Sequence, residues 1–183
     1  MIVIRIPQDR VGVVIGPGAA TKKLLQERSG LPIEVDSESQ EVTIDDKVQG
    51  ADPLMVLKMR DIVRALGRGF SPDHAMRLFS DDVYFELLDI HDYVGKGNKD
   101  RMRQVAARII GSEGKTRRII EEQTGCDLAI YGHTVGIIGE LEELGAAKKA
   151  CDMILRGAEH ASVYGFLEGQ RRKAKKADSA LWK

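Results

Sequence analysis

One twelve-residue segment occurs twice in this chain. Val-Ile-Gly-Pro-Gly-Ala-Ala-Thr-Lys-Lys-Leu-Leu (residues 14–25) returns without a gap as Ile-Ile-Gly-Ser-Glu-Gly-Lys-Thr-Arg-Arg-Ile-Ile (residues 109–120), and the match runs on to Gly30 and Gly125. Gly16 and Gly111 therefore hold the same place, 95 residues apart, in two copies of one supersecondary unit. A 183-residue chain built this way is expected to form two small cores rather than one large one. In each copy a short glycine turn separates two apolar helical segments and is followed by a basic pair. Such a turn brings backbone N–H groups close to an anion, because no Cβ stands in the way.

The flanking patterns repeat as well. Ile2, Ile4 and Ile6 alternate up to Pro7, a strand stopped by proline. Asp9 is expected to cap a short helix carrying Val11, Val14 and Ile15, and a second helix runs from about Ala19 to Ser29, burying Leu24 and Leu25 and ending at Gly30. Ile33 with Val35 and Val42 with Ile44 mark two strands whose apolar residues share one face. Residues 53–66 then close the copy as an amphipathic helix opened by Pro53. Ser71-Pro72-Asp73 starts a connecting helix to about Phe79. The second copy follows with a strand over 84–90, an inserted Gly95-Lys96-Gly97-Asn98, helices over 100–110 and 115–124, strands at Leu128/Ile130 and Val135/Ile137, and a closing helix over 141–156. Each copy thus reads β-α-α-β-β-α, an α+β fold. The expected organisation is module 1–70, connection 71–82, module 83–160 and a basic tail 161–183, either a solvated, partly disordered end or an arm adding phosphate contacts through Arg171, Arg172, Lys173, Lys175 and Lys176.

Charge is balanced overall, at 28 basic and 28 acidic residues, but not locally. Between Arg101 and Arg118 the basic residues are Arg101, Arg103, Arg108, Lys115, Arg117 and Arg118, against Glu113 alone, an excess of five positive charges beside the second glycine turn. This face is expected to attract phosphate. Gly111 and Gly114 admit the backbone, the start of the next helix offers N–H donors, and Lys115 lies nearest the anion, with Arg117 and Arg118 adding charge. Ile109, Ile110, Leu128 and Ile130 are expected to line a groove for unstacked bases.

These residues resemble the K-homology (KH) RNA-binding domain, whose type I order is β-α-α-β-β-α with a Gly-x-x-Gly loop between its first two helices. Ile110-Gly111-Ser112-Glu113-Gly114-Lys115-Thr116 carries that loop, and the resemblance covers nearly the whole chain as two modules. It implies a three-stranded antiparallel sheet on three helices and a loop that clamps about four nucleotides of single strand. Arg108-Ile-Ile-Gly, Gly114-Lys-Thr-Arg-Arg, Gly132-His-Thr-Val, Ser162-Val-Tyr-Gly-Phe-Leu and Gly69-Phe-Ser-Pro are similar to the archaeal branch of one subfamily, the Dim-two or partner-of-Nob-one small-subunit assembly factors. That likeness implies binding to small-subunit ribosomal RNA near its 3′ end. It implies contact with the endonuclease that matures this end or with the alpha subunit of initiation factor two.

The first copy departs from the pattern. Its turn, Gly16-Pro17-Gly18-Ala19, ends in alanine, and Pro17 has no N–H to donate. The second module is therefore expected to be the main RNA site, and Val14, Ile15, Gly16, Pro17, Gly18, Ala19, Lys22 and Lys23 a weaker one or a structural partner. Between the glycines of the second copy, Glu113 repels a nearby phosphate yet suits the helix dipole.

Two other readings stay open: a protein-docking scaffold using one or both modules, and a binder of single-stranded DNA. Catalysis, cofactors and metals are not expected, because His74, His91, His133 and His160 are scattered in sequence and form no triad or metal-ligand spacing. Cys126 and Cys151 match no ligand spacing either and read as buried thiols of a reducing compartment. No apolar run approaches the ~18 residues of a membrane span. The expectation is a soluble cytoplasmic protein.

Overall fold

The computed structural model describes residues 1–182. The chain divides into two compact units, Met1–Phe85 and Glu86 onward. The first holds β1 (Ile2–Arg5), α1 (Gln8–Ile15), α2 (Ala20–Ser29), β2 (Ile33–Asp36), β3 (Glu41–Ile44), α3 (Pro53–Gly67) and α4 (Pro72–Ala75), with 3-10 turns at Pro17–Ala19 and Met76–Phe79. The boundary falls inside β4 (Val83–Asp89). Beyond it come α5 (His91–Val94), α6 (Lys99–Ile110), a 3-10 turn at Ser112–Gly114, α7 (Lys115–Thr124), β5 (Asp127–Tyr131), β6 (Thr134–Glu140), α8 (Leu141–Leu155) and α9 (His160–Leu181). Two three-stranded antiparallel sheets result, in the orders β1-β3-β2 and β4-β6-β5.

In the first sheet Ile2 and Ile33 both face Ile44, while Ile4 and Val35 both face Val42. Period-two alternation therefore puts the apolar set on one face, where Val42 and Ile44 are wholly buried against helices that contribute Val14, Leu25, Met59 and Leu66. The second core repeats the plan with Ile90, Val105, Ile109, Ile120, Val135 and Ile137. Gly30 and Gly125 end α2 and α7 in the left-handed region, as their places in the repeat require.

Several local expectations change. Asp9 sits in the first turn of α1, whose N-cap is Pro7, rather than capping it. Leu24 is exposed, because the buried positions of α2 are Thr21 and Leu25, one turn apart, and Leu24 lies beside that stripe. A short α5 precedes the inserted glycines, and Asn98 caps α6 by accepting from the Arg101 N–H. The segment 71–82 packs onto the first unit. Ala75 and Leu78 are buried, the Lys58 ammonium donates to the Phe79 carbonyl at 2.9 Å and pairs with Asp81, and Arg28 lies over the Phe79 ring at 4.3 Å.

The largest change is the C-terminal segment. Residues 160–181 form α9, and its Val163 and Leu167 are buried in the second core, packed against α7 and α8. A partly disordered tail beginning at 161 is therefore replaced by a helix whose first two turns belong to the module and whose later turns are exposed. Among the described residues no helix is long and apolar enough to cross a membrane.

Candidate nucleic-acid interface

The two glycine turns have nearly the same backbone. Gly16 and Gly111 adopt φ/ψ of 73°/170° and 75°/176°, Gly18 and Glu113 56°/28° and 55°/28°, Ala19 and Gly114 63°/23° and 73°/17°. The last two positions of each turn are thus left-handed, a region that costs an L side chain about 1–2 kcal/mol. Each turn admits one such side chain, Ala19 in the first copy and Glu113 in the second, and keeps glycine at the other.

The opening glycine is held to its identity by contact. A Cβ on Gly111 would lie 2.7 Å from the Thr116 backbone nitrogen and closer still to its Oγ1, and one on Gly16 meets Thr21 in the same way. Both threonines are buried. The turn also consumes donors expected to be free: the Gly114 N–H reaches the Gly111 carbonyl at 3.3 Å and the Lys115 N–H bonds the Ser112 carbonyl. It is closed internally before any ligand arrives.

The basic residues separate into two groups. Arg108 is structural: its Nη1 and Nη2 donate to the Ile154 and Ala158 carbonyls at 3.2 and 2.5 Å, capping the C-terminus of α8. Arg10 does the same for α3 through the Leu66 and Phe70 carbonyls at 2.8 and 2.6 Å. The two arginines occupy different places in the repeat and reach carbonyls four residues apart at equivalent helix ends. Arg118 donates to the Glu113 carbonyl at 3.2 Å, and Arg117 pairs with Glu121 at 3.7 Å. Lys115 is exposed with no charged partner among the described residues, as are Arg101 and Arg103.

The groove shrinks relative to expectation. Ile109 is wholly buried, Leu128 is 4% exposed and Val14 is wholly buried, so these three belong to the cores and present no face to a base. Ile110, 38% exposed, and the half-buried Ile130 and Ile15 remain available. On α9, Arg171 bonds the Gln123 side chain at 3.4 Å and Arg172 pairs with Glu168 at 3.6 Å, while Lys173, Lys175 and Lys176 are exposed.

Sequence reasoning missed what α9 does here. The Tyr164 hydroxyl lies 3.0 Å from Thr116 Oγ1, and its ring stacks nearly parallel to His160, whose Nε2 donates to the Arg108 carbonyl at 2.8 Å. The helix therefore bonds both the end of α6 and the start of α7, bracketing the glycine turn. The segment Ser162-Val-Tyr-Gly-Phe-Leu carries the likeness to the subfamily without revealing this contact. Two of the scattered histidines also meet: His91 and His133 stack at 4.4 Å beside Asp89.

Comparison with known proteins agrees with this geometry. Residues 84–172 match a family described as eukaryotic type KH domain (KH domain type I), and residues 1–64 match the KH domain family. A KH domain-containing protein of Methanocaldococcus jannaschii is 47% identical over 181 residues, 99% of this chain and 78% of that one. A pre-rRNA-processing protein of Aspergillus fumigatus is 32% identical over 111 residues, 60% of this chain and 44% of its own. Among solved structures, the chain is similar to that of a complex of a/eIF2alpha, aDim2p and rRNA from Pyrococcus horikoshii. That match has a TM-score of 0.86 and 41% identity and covers 94% of both chains. Dim2p of the same organism gives a TM-score of 0.83 at 42% identity, covering 91% of this chain and 97% of that one. With one glycine-turn backbone built twice on the β-α-α-β-β-α order, and as Gly-x-x-Gly in the second copy, the chain belongs to the KH-domain family, as a tandem-KH member of the Dim2 and Pno1 type.

Proposed function

We propose that this protein binds single-stranded RNA of the small ribosomal subunit near its 3′ end and acts there as a non-catalytic assembly factor in the cytoplasm. The observation that carries the reading is the likeness, over nearly the whole of both chains, to a Dim2p solved with rRNA and a/eIF2alpha. The alpha subunit of initiation factor two is accordingly a partner, and the endonuclease that matures the rRNA 3′ end is a second.

The second module is the RNA clamp. Its exposed tip residues Ser112 and Glu113 and the unpaired Lys115 face the phosphodiester, Ile110 and Ile130 bear on the bases, Arg118 holds the turn through the Glu113 carbonyl, and Arg117, paired with Glu121 along α7, adds charge. Lys173, Lys175 and Lys176 on α9 extend the basic surface, with Arg171 bonded across to Gln123 of α7 and Arg172 paired with Glu168 along α9. The first module carries Pro17 where the second offers the Ser112 N–H, so Gly16, Gly18, Ala19, Lys22 and Lys23 form a weaker site or a protein-docking one.

The test is binding of a labelled RNA strand from the 3′ end of small-subunit rRNA across a salt series, with DNA of the same sequence as competitor. Phosphate contacts give a log–log slope of roughly −0.7 each. A salt-dependent preference for RNA is expected, with no cleavage in added magnesium. Salt-independent or absent binding rejects the RNA reading in favour of protein docking. Equal competition by DNA removes the RNA preference.

A further inference from the structure

The geometry points to a divalent transition-metal site of the zinc type formed by Asp89, His91 and His133 in the second module. Its residues come from three segments: Asp89 ends β4, His91 opens α5 and His133 sits in the β5–β6 turn. One ligand atom from each lies within 4.8 Å of the others. His133 Nδ1 is 2.9 Å and His91 Nδ1 3.3 Å from the same Asp89 Oδ1, which also accepts the His91 backbone N–H at 2.9 Å.

Three nitrogens converge on one carboxylate oxygen with two lone pairs. That crowding gathers both Nδ1 atoms at one carboxylate; a cation there replaces the protons they donate, and the rings, stacked 21° from parallel, swing apart to aim their lone pairs at it. The clustering itself is built into the backbone. The scaffold fixes it: the Ile90 N–H donates to the His133 carbonyl at 2.8 Å, tying the strand end to the hairpin turn, and Thr134 Oγ1 donates to the Tyr131 carbonyl across that turn at 2.9 Å. Side-chain exposures of 38% for Asp89, 22% for His91 and 36% for His133 leave a path for an ion.

Two imidazoles and a carboxylate suit zinc, nickel or cobalt rather than magnesium or calcium. Three protein ligands in tetrahedral geometry leave one position for water. The ion would staple the end of β4 to the β5–β6 turn and needs no RNA. The two cysteines do not compete: both are buried, and burial pushes the Cys151 thiol up to about 12.

The experiment uses untagged full-length protein, stripped with chelator and titrated with Co²⁺ by visible absorption and with Zn²⁺ by calorimetry. One equivalent of each is expected to bind, with d–d bands for Co²⁺ and a thermal midpoint raised by several degrees. His91→Ala and His133→Ala should each weaken binding at least about tenfold. His133→Gln, which keeps a polar side chain in the turn, should do the same with an unchanged circular dichroism spectrum, and His74→Ala should change nothing. Absence of saturable binding below about 100 µM overturns the site. Full-strength binding by His133→Gln also overturns it.

Discussion

Thr116 Oγ1 lies 3.0 Å from the Tyr164 hydroxyl, while the same threonine fills the space a side chain at Gly111 would need. One buried residue thus fixes the backbone of the glycine turn and anchors the helix that brackets it. Removing the hydroxyl in Thr116→Val, or its partner in Tyr164→Phe, should each cost about 1 kcal/mol in urea unfolding. The double variant should cost less than the two together, because both lose one hydrogen bond. Additive losses would show that the pair does not interact.

The backbone shape shared by the two turns gives opposite expectations for glycine and alanine. Gly111→Ala drives a Cβ against Thr116 and should cost several kcal/mol, whereas Gly114→Ala meets no atom within 4 Å and should cost about 1 kcal/mol for its left-handed φ. Ala19→Gly, which relieves the same conformation in the first copy, should stabilise by a few tenths to 1 kcal/mol. Denaturant midpoints rank all three.

Arg108 separates a structural from a phosphate-binding role. Arg108→Gln removes charged donors from the Ile154 and Ala158 carbonyls and should destabilise by about 2 kcal/mol. RNA affinity of the folded fraction should stay within twofold. Lys115→Gln should do the reverse, weakening RNA binding and reducing its salt slope while leaving the unfolding midpoint unchanged. An Arg108→Gln protein of normal stability and poor affinity would reverse the assignment.

Stability should depend on pH through Tyr93 and Asp152, joined at 2.8 Å. Desolvation, and then its bond to Asp152, push the Tyr93 phenol up to about 12. This raised value favours the protonated form, so its contribution is present below the ordinary phenol range near pH 10 and fades between about pH 10 and 12. Burial alone would raise Asp152, but hydrogen bonds from Tyr93 and Arg156 and the charges of Arg156 and Lys149 hold it below the usual carboxylate value. Its contribution is therefore present above about pH 4 and is lost as pH falls through the depressed value. Tyr93→Phe should reduce the alkaline loss in a thermal-midpoint profile, leaving the share of the buried Cys151 thiol, which is also raised to about 12, and an unchanged profile would assign the whole loss to other groups.

The fold was legible where the signal is local. The repeated glycine turns, the C-terminal glycines Gly30 and Gly125 and the Ser71-Pro72 helix start each act through neighbouring backbone, and a one-dimensional pattern carries that information. What stayed hidden depends on distant contacts. Ile109 and Ile110 are identical in sequence terms, yet one is core and the other surface, and only the packing of α7, α8 and β5 against α6 decides which. Arg108 reads as a phosphate ligand until the end of α8 comes beside it. His91 and His133 look scattered because 42 residues separate them along the chain, and the turn between β5 and β6 is what returns His133 to Asp89. The exposed basic stretch of α9 reads as a tail because its anchors, Leu167 and Val163, lie about one and two turns earlier.

The unequal roles proposed for the two turns are tested in one comparison: affinity for the 3′-end RNA strand in wild type, Gly114→Asp and Gly18→Asp at fixed salt. Both glycines are left-handed with open space around them, and aspartate tolerates that conformation, so both variants should fold with unchanged circular dichroism. The added carboxylate then faces the phosphodiester only where RNA is gripped. Loss of at least about tenfold in Gly114→Asp, against less than about threefold in Gly18→Asp, is the expected result. Equal losses, or none in either, would contradict a clamp in the second module.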